Sequence, residues 1–255
     1  MGITNWIKNI GKNTAYYPGC LTKYVLTGEM ESYKRILSKL GIDFITIPEE
    51  MCCGSPAINA GYEKDARVLA RKNLEIFKKY NVKRIITNCP ACFKVLGRDY
   101  KEFMPDWDME VDYILKVILK KIKSNPKLIE NKFHEKITYH DPCHLGRASG
   151  IYEEPREILR LIGFNIVEMK HNREESLCCG GGAGLRTNNP ELANRIAKKR
   201  IKEAKETGVE KIITPCPMCF KHMEENSNIK VIEFSQVLAE ALGVSFKEEK
   251  NEQGK

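Results

Sequence analysis

The chain has 255 residues, 42% of them hydrophobic and 30% charged, with a formal net charge of +8. That length suits two ordinary domains with buried cores, and no apolar run is long enough to cross a bilayer. The lysines are interleaved with Glu along helical stretches, with no zinc-finger, RRM or homeodomain pattern beside them, so the basic balance implies solvated faces or an anionic partner and not nucleic acid.

In chain order, residues 1–13 have no apolar h-region, which points to a cytoplasmic protein, and NWIKNI (5–10) reads as a frayed end or a short docking helix. A strand runs into YYPGC (16–20). A second, GIDFITIP (41–48), precedes MCCGSPA (51–57). Residues 63–81 form a helix stopped at Asn81, a residue that accepts the left-handed conformation. The strand VKRIITNC (82–89) then enters a Cys-Pro-x-Cys element. Residues 106–136 carry apolar positions at helical spacing, broken at Ser124-Asn125-Pro126, and read as a closing helix and a linker.

The series then recurs. A strand enters YHDPC (139–143), and GFNIVEM (163–169) precedes LCCGGGA (177–183). A helix follows with Asn189 as N-cap, Pro190 at its first position and Gly208 as its stop. The strand VEKIITPC (209–216) enters a second Cys-Pro-x-Cys. The tail 246–255 is nearly all polar and reads as disordered.

The ten cysteines fall into two equal sets, Cys20, Cys52, Cys53, Cys89, Cys92 and Cys143, Cys178, Cys179, Cys216, Cys219. Their spacings are C-x31-CC-x35-CxxC and C-x34-CC-x36-CxxC, and RIITNCPACFK (84–94) matches KIITPCPMCFK (211–221) without a gap. The chain is an internal duplication. Alternating strands and helices imply an α/β fold of two tandem pseudo-symmetric repeats, each a small, mainly parallel sheet with flanking helices. The boundaries are 14–123 and 137–245, joined by a linker over 124–136. Cysteine loops that follow parallel strands gather at one sheet edge, so each repeat brings five thiols together.

In a reducing compartment, clustered cysteines bind metal or do redox chemistry. An adjacent Cys-Cys pair suits an object that bridges two sulfurs, and thiolates are the usual iron–sulfur ligands. A structural zinc takes four ligands and would leave one thiol spare, with the first repeat the better candidate for it; a thioredoxin-like dithiol explains only the CxxC. Gly54, Gly180, Gly181 and Gly182 have no Cβ, so their N–H groups can approach a cofactor's sulfurs. The glycine run lacks the Lys-Ser/Thr of a phosphate loop. His140 and His144 flank Cys143 and are candidates for proton delivery or iron ligation. Arg147 is a candidate anion contact, and His134, His171 and His222 read as surface residues.

The phrases YYPGCLTKY, CCGSPAINAG, HDPCHLGR and CCGGGAG resemble the cysteine-rich CCG domain. The pattern is similar to the catalytic B subunit of heterodisulfide reductase, to part of its D subunit, to thiol:fumarate reductase, and to iron–sulfur subunits of glycolate and lactate oxidation. The resemblance implies two noncubane [4Fe-4S] clusters held by the ten cysteines, with zinc in place of the first in some relatives. It implies an oxidoreductase that cleaves an anionic disulfide of the CoM-S-S-CoB type, used in methanogenesis, with Cys178 and Cys179 needed for turnover. Within the 255 residues there is no C-x2-C-x2-C-x3-C-P ferredoxin segment. The expected partners are therefore a ferredoxin-like subunit of the heterodisulfide reductase C type and a flavoprotein. The alternatives are an electron-transfer subunit of a flavin-dependent lactate or glycolate dehydrogenase, and a zinc-bearing scaffold.

Overall fold

The structure is a computed structural model that describes residues 13–244. The expected docking segment 5–10 and the tail 246–255 lie outside them. Two parallel sheets organise the chain. The first holds β1 (Asn13–Tyr17), β2 (Val82–Thr87) and β3 (Glu110–Tyr113) in the order β1-β2-β3. The second holds β4 (Lys136–Tyr139), β5 (Asn165–Ile166), β6 (Lys211–Thr214) and β7 (Lys230–Glu233) in the order β5-β4-β6-β7. Ile45 forms an isolated parallel bridge to Ala15, so a vestige of the fourth strand lies beside β1 as β5 lies beside β4. The two halves therefore share one topology, as the duplication requires.

The first half carries helices α1 (Cys20–Tyr24), α2 (Thr27–Lys39), α3 (Ser55–Asn59), α4 (Glu63–Lys79), α5 (Pro90–Lys94), α6 (Tyr100–Phe103) and α7 (Ile114–Ser124), with a π-helical turn at Val95–Asp99. The second carries α8 (Glu153–Leu161), α9 (Leu185–Asn188), α10 (Pro190–Glu206), α11 (Pro217–Glu225) and α12 (Phe234–Ala241). Local chemistry sets several ends. Asn189 accepts from Leu192 N at 3.0 Å and Pro190 opens α10, while Asn81 takes φ 50° after α4.

Two expectations need correction. The 41–48 strand shrinks to the Ile45 bridge, where Ile45 N donates to Thr14 O at 2.8 Å and Tyr16 N donates to Ile45 O at 2.9 Å, in a segment bounded by the left-handed Gly41 and by Pro48. Residues 106–123 hold a strand, β3, before the helix α7; Val111 to Ile114 run from one into the other with no turn residue between.

A central core draws on both halves, with Tyr16, Tyr33, Ile86, Tyr113 and Ile118 packed with Tyr139, Ile158, Ile213, Phe234 and Leu238. The closing helix of each half packs on the first long helix of the other: α12 on α2, and α7 on α8. Polar bonds pin this exchange. Tyr33 donates to Glu233 Oε1 at 2.9 Å, Gln236 Nε2 donates to Glu29 at 3.0 Å, and Lys123 pairs with Glu157 at 2.7 Å. The halves are thus interlocked around one core.

Candidate metal centre

Strand register positions the thiols. Tyr17 pairs with Thr87, so the loops carrying Cys20 and Cys89 leave the sheet side by side. Tyr139 pairs with Ile213, which does the same for Cys143 and Cys216. Cys89 and Cys216 are N-caps of α5 and α11, each followed by Pro at the first helical position. One helical turn then turns Cys92 and Cys219 back toward the CC pairs.

All ten cysteines are free thiols. In the first half the sulfur contacts run Cys20–Cys52–Cys53–Cys92–Cys89, with Cys92 Sγ 3.4 Å from Cys53 Sγ. In the second they run Cys143–Cys178–Cys179–Cys219–Cys216. The order is the same in both. Backbone N–H groups point at these sulfurs: Gly54 N to Cys52 at 3.5 Å, Gly180 N to Cys178 at 3.3 Å, and Gly181 N to Cys179 at 3.4 Å. Gly182 is exposed, with open space around it, and does not share this role.

Two glycines are fixed by close approach. A Cβ on Gly19, at φ +76°, would lie 2.9 Å from Cys92 Sγ; one on Gly180, at φ +83°, would lie 2.5 Å from Ala193 O.

The proton balance suits a polynuclear centre. Hydrogen bonds from Cys20 and Cys53 pull the Cys52 thiol far below its usual range, and Cys143 and Cys179 do so for Cys178. Hydrogen bonding to those thiolates pushes Cys20, Cys53, Cys143 and Cys179 up, with burial adding to it. Cys52 and Cys89, the latter bonded by Cys92, are the favoured thiolates of the first set and Cys178 that of the second, and full deprotonation of such mutually repelling thiols needs a multivalent cation. Five sulfurs in a row exceed a tetrahedral ion's four positions and fit a cluster with several metal atoms.

The residues behind each CC pair differ. In the first half Tyr17 donates to Met51 O at 2.6 Å. Asn73 accepts from Met51 N at 3.0 Å and donates to Cys52 O at 3.1 Å. In the second half His140 replaces Tyr17 and Arg200 replaces Asn73, each of the latter two being the eleventh residue of its 17-residue helix. Arg200, fully buried, donates to His140 Nδ1 at 3.0 Å, Ser176 Oγ at 3.2 Å and Glu203 at 2.7 Å. Neither Asn73 nor Arg200 carried a sequence signal; only alignment of α4 with α10 could have raised them. Burial, then the Arg200 charge, keep His140 well below its usual pKa.

His144 is half-buried, its Nδ1 3.5 Å from Cys143 Sγ, and burial followed by the Lys94 charge lowers its pKa. Arg147 donates to Ser176 O at 2.7 Å and Glu174 O at 3.2 Å, so that nitrogen braces the segment leading to Cys178. His134 is exposed and His171 half-exposed against Glu203. His222 is not a surface residue: it is 1% exposed, on the same inner face of α11 as Cys219, and its Nε2 lies 3.2 Å from Ala193 O.

The two centres face each other. Leu21, next to Cys20, packs on the cluster containing Cys179, Cys216 and Cys219. Tyr113 donates to Pro215 O, beside Cys216, at 2.9 Å, and its hydroxyl feels both Cys216 and Cys89. Arg98, just beyond Cys92, reaches Ala148 O at 3.5 Å. Two open clefts, around Tyr62 and Lys64 and around Ile42 and Asp112, are lined by no cysteine.

Among the described residues no helix is long and apolar enough to cross a membrane. The chain is 34% identical over 241 residues to the D subunit of dihydromethanophenazine:CoB–CoM heterodisulfide reductase from Methanosarcina barkeri, covering 90% of this chain and 59% of that one. It is 30% identical over 240 residues to the B subunit of fumarate reductase (CoM/CoB) from Methanothermobacter marburgensis, covering 91% and 47%. It is 32% identical over 262 residues to EtfAB:quinone oxidoreductase of Syntrophomonas wolfei, covering 94% and 36%. The chain thus spans 36% to 59% of the length of these three relatives. The family model described as the cysteine-rich CCG domain matches it twice, over residues 14–97 and 137–224, and the chain belongs to that family.

Proposed function

We propose that the chain is an iron–sulfur oxidoreductase subunit that reduces a disulfide between two [4Fe-4S] clusters of the noncubane type. The observation that carries this is the pair of five-thiol rows, identical in order and facing one another across Tyr113 and Leu21. Cys20, Cys52, Cys53, Cys89 and Cys92 would hold one cluster; Cys143, Cys178, Cys179, Cys216 and Cys219 would hold the other. Bound there, the clusters supply one-electron transfer in both directions. The relatives named for CoM and CoB chemistry support an anionic disulfide of that class.

The balance is two electrons and two protons per disulfide: the S–S bond breaks and two thiols form. The electrons come from a ferredoxin-like subunit or a flavoprotein. His144, half-buried beside Cys143, is placed to relay a proton through its ring, and Lys94 and Arg98 on the facing element are both held by Asp99. Burial of Cys53, Cys92, Cys179, Cys216 and Cys219 keeps water from those sulfurs, while Cys20 and Cys178 are exposed and open to a substrate.

In a complex reconstituted with its electron donor, Cys178→Ser or Cys179→Ser should abolish disulfide reduction, and unchanged turnover would refute the role. A second reading, electron transfer without contact with an organic substrate, is favoured by the EtfAB:quinone oxidoreductase relative. Under that reading the complex passes electrons to a quinone or flavin and leaves disulfides untouched.

A further inference from the structure

The two centres are built alike but braced differently, and the difference has a direction. In the first half the groups behind the CC pair, Tyr17 and Asn73, make their bonds with Met51 N, Met51 O, Cys52 O and Tyr100. In the second, Arg200 donates to His140 Nδ1. A guanidinium is always a donor, so that nitrogen must carry a lone pair and the ring proton sits on Nε2. His140 Nε2 is buried and, among the described residues, has no hydrogen-bond partner. A ring nitrogen of His140 lies within 4.8 Å of both Cys179 Sγ and Cys219 Sγ. An imidazole with its proton on Nε2 cannot ligate a metal through that atom, but it can donate to anionic sulfur, the acceptor that would satisfy it. Arg200 is itself paired with Glu203 at 2.7 Å, so what it supplies to the site is chiefly the tautomer.

Building on the proposed function, we infer that His140 holds its Nε2–H as a fixed hydrogen-bond donor to the sulfurs of the second centre, with Arg200 setting the tautomer, and that this donor raises the second centre's reduction potential above the first's. Hydrogen bonds to cluster or ligand sulfur stabilise the more negative, reduced state. Gly181 N, aimed at Cys179, acts in the same sense. Electrons entering at the first centre therefore run downhill to the second. His140 is a positioning and tuning residue, distinct from His144, which lies nearer the facing half.

The test is a spectroscopic redox titration of the loaded full-length protein, with each midpoint assigned by the single variants Cys53→Ser and Cys179→Ser. In the unsubstituted protein the second midpoint should be the higher. His140→Phe should lower it, giving a tenfold change in the reduced-to-oxidised ratio at fixed potential, about 59 mV for a one-electron couple. The first midpoint should stay in place, and His140→Gln, which keeps an N–H donor, should restore part of the shift. Equal midpoints, or a shift common to both centres, would overturn the inference. A second test needs no substitution: long-range proton–nitrogen NMR of the full chain before cluster loading should show Nδ1 bare and Nε2 protonated near neutral pH. A protonated Nδ1 would overturn the assignment. An unsubstituted chain that takes up no iron would instead refute the proposed function, so the two failures are distinguishable.

Discussion

Tyr113 of the first half donates its hydroxyl hydrogen to the carbonyl of Pro215, one residue before Cys216 of the second, at 2.9 Å and fully buried. This bond ties the last strand of one sheet to the cysteine loop of the other, so the spacing of the two centres depends on it. Tyr113→Phe keeps the ring and removes the donor. It should cost about 1 kcal/mol in denaturant unfolding.

Glu233 lies buried where α12 meets α2, caps α12 through Ser235 N, and has its carboxyl pushed up to about 7 by burial. The folded state therefore holds this proton at a pH where the unfolded chain has released it. Its contribution is complete below pH 4.5 and is lost as pH rises through about 7, a loss on the order of 3 kcal/mol. Glu233→Gln cannot ionise. In unfolding curves measured across that window, the variant should gain on the unsubstituted protein as pH rises.

Arg156 is fully buried and makes paired bonds with Asp141, at 2.6 and 2.8 Å, and with Glu168, at 2.7 and 2.9 Å. Asp141 also accepts from Arg173 N, and so fastens the loop before Cys143 to the segment before Cys178. Arg156→Met fills the space but leaves Asp141 buried without its partner. A loss of about 3–5 kcal/mol is expected by chemical denaturation.

Much of this was legible in the sequence, because cysteine spacing, the Asn189-Pro190 start and the Gly208 stop are local signals with local causes. The duplication exposed the two thiol rows, since the same cysteine order at nearly equal spacing implies a shared fold. The features without a local signal depend on tertiary burial. Arg200 sits among lysines in AKKRIKEAK and reads as one more solvated cation, yet it is 0% exposed. His222 looks like a surface residue until α11 turns it inward beside Cys219. Strands β3 and β7 are four residues long and run straight into helices, so period and turn signals had nothing to mark. The exchange of closing helices between halves has no sequence signature at all.

The glycines after the second CC pair should separate by position. Gly180→Ala meets both a left-handed backbone and the Ala193 carbonyl, and should cost about 2–4 kcal/mol and weaken metal loading. Gly182→Ala, with open space and no left-handed φ, should stay within about 0.5 kcal/mol of the unsubstituted protein. Thermal unfolding and iron uptake of the two variants check this contrast.

The central claim is that two facing five-thiol rows each hold an iron–sulfur cluster. Iron, acid-labile sulfide and zinc per chain, determined on anaerobically purified full-length protein, test it most directly. The account expects about eight irons with matching sulfide, falling by about half in Cys53→Ser and in Cys179→Ser. Zinc in both centres, or no iron after anaerobic reconstitution, would contradict it.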